Sequence, residues 1–170
     1  ADYFAESPEK RLVRAVRNAQ VMLHSGVTTV RDCGSSWTAL ALADSGLWAL
    51  AGTPRLLMCG PPLTVTAGHL HWMDGEVDTA EEMVRQVRLL KKRGAASIKI
   101  MATGGQMTPG SRPESEAYTT EQMAAAVQEA VRWGLPTVAH CLTAEGLVRA
   151  IEAGVESVEH CAFFRRESSG

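Results

Sequence analysis

Five short apolar or β-branched runs, separated by stretches that read as helix, constrain the fold more than any other feature of this chain. The runs are GVTTVRD (26–32), RLLMCG (55–60), SIKIMA (97–102), PTVAHC (136–141) and SVEHC (157–161). Each has the length and composition of a strand. Ser7-Pro8 opens the first helix, with a hydroxyl cap and a proline at the first helical position, and Gly26 marks its exit after His24. Residues 36–51, rich in Ala and Leu, form the second. Asp78 or Thr79 caps a third, which runs through Arg93 to a stop at Gly94. Thr119-x-x-Gln122 is a capping box for a helix to Trp133, and residues 143–153 form the last. Strands that alternate with helices pair in parallel, because parallel neighbours need a crossover. The class is therefore α/β with a parallel sheet. On the residues alone, an open α/β sheet and part of a barrel both stay open. The two longest connections, 61–78 and 103–118, follow strands, where both architectures place their sites.

With 170 residues, the sequence 1–170 is read as one domain with a sizeable core. A net charge of −2 offers no broad basic field for nucleic acid or anionic lipid. No apolar run is long enough to span a bilayer. The first fourteen residues, ADYFAESPEKRLVR, lack the basic-then-apolar order of a signal peptide. Cys33, Cys59, Cys141 and Cys161 are too scattered for a disulfide framework, so a reducing cytoplasm is the expected setting.

Three residues in these strands carry chemistry. Lys99 lies between Ile98 and Ile100, and a cation inside a strand is costly without a partner. Strand alternation puts Lys99 with Ser97 and Met101 on the face opposite the isoleucines. Burial favours the neutral amine, which can form a Schiff base or take up carbon dioxide as a carbamate. The bland alternative is a lysine that snorkels to water. His140 and His160 end successive strands, so both imidazoles can reach one ion at the strand C-terminal ends. A Cys2His2 zinc site from the two His-Cys pairs is rejected, because adjacent strand residues face opposite ways. The cysteines read as small core residues. His69, in the loop after the second strand, is expected in a pocket, and His71 less so. Asp32 is expected in an ion pair with its neighbour Arg31 or in a helix cap. Gly104 and Gly105, just after Lys99, are expected to offer backbone amides to an anion or a substrate carbonyl.

GVTTVRD, AGH (67–69), IKIMATGG (98–105), AHC (139–141) and VEHC (158–161) together resemble the amidohydrolase superfamily. The likeness is to its imidazolonepropionase-like and Xaa-Pro dipeptidase-like branch, in order and spacing, from the first helix to Phe163. The resemblance implies a (β/α)8 TIM-type barrel of parallel strands, of which this chain holds strands two to six. It implies one or two divalent metal ions, commonly zinc. Lys99 matches the fourth-strand lysine, carbamylated and metal-bridging in binuclear members. His140 and His160 match the metal-binding histidines of strands five and six. The family's His-x-His pair belongs to strand one and its aspartate to strand eight, and neither is found here. His69-Leu70-His71 follows strand three and cannot fill the first role.

The resulting expectation is a metal-dependent hydrolase of small amide, lactam, peptide-like or ester substrates, using metal-activated water. Lys99 is its catalytic residue. Lys99, His140 and His160 are its metal ligands, and His69, Gly104 and Gly105 contact substrate. The segment is expected to be inactive alone, to keep Lys99 unmodified without metal, and to associate with copies of itself or with the rest of a barrel. Its two edge strands and the inward faces of Met58 and Met101 are expected to lie open. Two alternatives remain: a Schiff-base lyase or aldolase using Lys99, and a non-catalytic binding module.

Overall fold

The computed structural model describes residues 6–162. All five strands form, in parallel: β1 (Thr29–Arg31), β2 (Arg55–Leu57), β3 (Ile98–Met101), β4 (Thr137–Cys141) and β5 (Ser157–His160). Each is shorter than the run that foretold it, β4 and β5 by a single residue. The helices are α1 (Pro8–His24), α2 (Trp37–Asp44), α3 (Leu47–Leu50), α4 (Ala80–Lys92), α5 (Thr120–Arg132) and α6 (Ala144–Glu152). The expected helix over 36–51 is split, because Gly46 sits at φ +74° between α2 and α3. Only glycine enters that region without strain.

The strands stack in chain order. β1 pairs with β2, β3 with β4, and β4 with β5. The β2 segment reaches β3 in two steps: the Ala96 N–H donates to Met58 O at 2.8 Å, and the Leu63 N–H to Lys99 O at 2.8 Å. Between them lie Gly60, Pro61 and Pro62, and proline has no N–H to give a ladder. The layer is thus one sheet with an interrupted seam. It is also curved. In a flat sheet β1 and β5 would stand about 19 Å apart, yet Arg31 of β1 closes on Glu159 of β5. Parallel strands in chain order, a helix between neighbours and a concave face spanned by one ion pair make this a partial barrel.

The core lies on the convex side. Ile98, Ile100, Ala139 and Cys141 point from the sheet into Met83, Val87 and Leu90 of α4 and Met123, Ala126 and Ala130 of α5. Both helices begin with a capping box, Thr79 with Glu82 and Thr119 with Gln122. Each cap is worth about 1 kcal/mol. Arg88 on α4 closes on Glu129 of α5 at 2.7 Å, and Trp133 Nε1–H donates to the same carboxylate at 2.9 Å. By contrast α1 buries only Ala19. The expectation for the two methionines is corrected. Met58 packs into the helix-side core, and Met101 is buried, 2% exposed. On the concave face Leu57 of β2 lies open, 38% exposed. Phe163 lies outside the described residues.

Candidate active site

Strand alternation sends Lys99 and His140 to the concave face while their neighbours enter the core. Lys99 is 3% exposed, and burial is the main cause that pulls its ammonium below the usual range. Glu159 and the thiols of Cys33 and Cys59 oppose that shift. At 3% exposure the amine is buried on the concave side, and it is not a lysine that snorkels to water.

Three imidazoles gather at the strand C-terminal ends. The ring of His140 lies 4.6 Å from that of His160, edge to face, and 4.7 Å from that of His69. By register His160 pairs with Cys141, and plain alternation would turn it to the helix side. It reaches His140 because its φ is +74°. His69 arrives from the loop after β2, held by Thr108: its Nδ1 lies 2.8 Å from the Thr108 hydroxyl, which accepts the Leu70 N–H at 3.0 Å.

His140 has a defined tautomer. Its Nε2 lies 2.9 Å from the Gly104 carbonyl, which can only accept, so Nε2 carries the proton and Nδ1 keeps its lone pair. Burial lowers the pKa of both His69 and His140 to about 4. The Gly104 carbonyl partly offsets this at His140 by favouring imidazolium, while the nearby histidines and Lys99 add to the lowering. At neutral pH both rings are neutral and can accept a proton or bind an ion.

The glycine pair works differently from the expectation. The Gly104 N–H donates to Ser115 O at 2.9 Å, and the Gly105 N–H to Ser111 Oγ at 3.0 Å. Both amides are committed within the loop, so the expectation that they meet a substrate anion is corrected. The pair is needed for close approach. A Cβ on Gly104 would stand 2.0 Å from Arg112 O, and one on Gly105 would stand 2.4 Å from the His69 ring.

Both readings of Asp32 are corrected: Arg31 pairs with Glu159, the cap of α2 is Ser36, and the Asp32 carboxylate instead accepts from Cys59 Sγ at 3.9 Å. Burial raises its pKa above the ordinary carboxylate value. Cys59 and Cys141 are buried as expected, but Cys161 is exposed. Two participants escaped the reading of the sequence. Thr108 gives no signal in a loop rich in small polar residues. Glu159 could have been found by the argument applied to Lys99, since it too is a charge inside a strand.

The donor set suits a divalent ion: two neighbouring imidazoles, one with a free and oriented lone pair, beside a buried amine. Among the described residues, no three His, Cys, Asp or Glu side chains group closely enough to hold an ion unaided. No helix among them is long and apolar enough to cross a membrane.

Comparison with known proteins adds to this geometry. The model of the Amidohydrolase family matches residues 3–169. Ochratoxinase from Aspergillus niger is 29% identical over 188 aligned positions, which cover 96% of this chain and 39% of that protein. A Xaa-Pro dipeptidase crystallised with methionine in its active site superposes with a TM-score of 0.84 at 32% identity, over 91% of this chain and 42% of that one. A prolidase complexed with N-methylphosphonate-L-proline superposes at 0.80 and 28% identity, over 91% and 42%. The chain thus spans about two fifths of the length of each.

Proposed function

This chain belongs to the amidohydrolase family, and from that premise we propose that it carries part of the site of a metal-dependent hydrolase acting on amide or peptide-like bonds. One observation carries the reading: His140 and His160 converge ring to ring at 4.6 Å, with the Nδ1 lone pair of His140 left free by the Gly104 carbonyl. His140, His160 and Lys99 would hold the metal, zinc in this reading. When bound, it supplies a Lewis acid that lowers the pKa of water and polarises the scissile carbonyl.

The chain's own residues do the rest. His140 presents Nδ1 because Nε2–H is fixed on Gly104 O. Lys99, made more easily neutral by burial, can add to carbon dioxide and lose a proton, giving a carbamate whose single negative charge is shared by two oxygens that would face the metal. That modification is expected only with metal present. His69, a neutral imidazole against His140, would line the substrate pocket. Gly104 and Gly105 shape the wall against which both rings lie. The Schiff-base alternative for Lys99 draws no support from the hydrolases to which the chain is similar.

Dipeptides ending in proline are the substrates to try first, because the similar proteins include a Xaa-Pro dipeptidase and a prolidase. Three ligands are a partial shell. Turnover is therefore proposed for an assembly in which further barrel elements, or a second copy, complete it, and the 170 residues alone are expected to be inactive. Zinc-dependent hydrolysis of these substrates by such an assembly, abolished by His140→Ala, supports the reading. Hydrolysis that survives both His140→Ala and chelation of metal refutes it.

A further inference from the structure

We propose that Arg31 is a positioning residue: its guanidinium, closed on Glu159 from across the concave face, holds the strained turn that aims His160 at His140. The inference rests on the reading of His160 as a ligand for its functional meaning, though not for its geometry.

The chain leaves β5 through two successive non-glycine residues of positive φ, His160 at +74° and Cys161 at +45°. The Cys161 N–H donates to Glu159 O at 3.0 Å. A hydrogen bond across one residue of positive φ is a γ-turn of the rare and strained kind. Strain of that kind persists where surrounding contacts over-determine it, and it clusters at functional sites. Without the turn, alternation would carry the His160 ring to the helix side, away from His140. The turn therefore creates the two-histidine contact.

Glu159 is the first residue of this turn, and its side chain is the point at which the turn is gripped. It stands beside His140 in register and accepts Arg31 from β1, the opposite end of the strand order. Sequence separation is 128 residues, so the pair fixes β5 relative to a distant edge and not to a local neighbour. Both side chains are partly exposed, at 42% and 30%, and an exposed ion pair adds little to global stability. Its effect is local and geometric: it biases one short turn and thereby one ring.

The test compares the unaltered chain with Arg31→Met and Arg31→Lys, each checked for folding by circular dichroism. In metal-free protein, the nuclear Overhauser effect between the ring protons of His140 and His160 should be present in the unaltered chain, absent in Arg31→Met and retained in Arg31→Lys. Zinc affinity, read by competition with a chromophoric chelator, should fall about ten- to a hundredfold in Arg31→Met, as when a group that orients a ligand is removed, and recover in Arg31→Lys. If Arg31→Met does not fold, Glu159→Ala removes the other half of the pair and answers the same question. A folded Arg31→Met, or Glu159→Ala, in which the two rings still show the effect overturns the inference, as does its absence in the unaltered chain. If the two rings separate in Arg31→Met, yet even the unaltered protein binds no zinc, the turn is supported and the metal reading alone is refuted.

Discussion

A single carbonyl decides what His140 can do. Because Gly104 O accepts from Nε2–H, the free lone pair is on Nδ1, on the ring that touches both other histidines. The same economy holds at His69, where one hydroxyl receives a backbone N–H and meets a ring nitrogen. Thr108→Val keeps the shape and removes that oxygen, leaving the half-buried Leu70 N–H without its partner. A loss of about 1–3 kcal/mol is expected, measured by chemical denaturation; an unchanged midpoint would show that the hydroxyl is dispensable. Gly105→Ala makes a sharper case, since its Cβ would stand 2.4 Å from the His69 ring. The ring must move, and displacement of that size in an active site can cost about a hundredfold in rate. In the assembled enzyme, turnover should fall by about that factor with the helical circular dichroism signal unchanged; wild-type turnover would mean that His69 does not contact substrate. Lys99 and His140 were legible in the sequence because a polar residue within an apolar strand must be accounted for. The aim of His160 was not, since it depends on a backbone angle that leaves no mark in residue type.

At the scale of elements, the α4–α5 pair carries the convex core. Leu90 is fully buried between the helices and the sheet, and Leu90→Ala should cost about 2–5 kcal/mol; a loss well short of that range in urea denaturation would show that the packing there is loose. The Arg88–Glu129 clamp adds a pH dependence. The Arg88 guanidinium, with the Trp133 indole, holds the Glu129 carboxyl below its ordinary value of 4.5. A depressed carboxylate stabilises the folded state above its unfolded pKa and loses that contribution as pH falls through the folded value. Arg88→Met should therefore lower the melting temperature at pH 7, and the gap to wild type should shrink as pH drops below about 4.5. A gap that stays constant on further acidification would mean that packing, and not charge, is what the substitution removes. These elements were readable because caps and periodicity are local. The split at Gly46 and the seam at Pro61-Pro62 were harder, since a glycine or proline breaks an element only when the neighbouring turn requires it.

Across the whole molecule, parallel strands stacked in chain order curl until Arg31 meets Glu159, and the concave face so formed collects Lys99 and three histidines. The alternation of strands and helices set the class, and the ordered motifs pointed to the barrel. The Arg31–Glu159 closure was beyond reach, because it depends on which residues meet from opposite edges, and no spacing along the chain reports that. Anomalous scattering at the zinc edge, from crystals of the protein saturated with zinc, locates the bound ion. A peak in contact with the His140 and His160 imidazoles is expected, absent from His140→Ala crystals. Zinc bound elsewhere, with no peak between those rings, would contradict the proposed site.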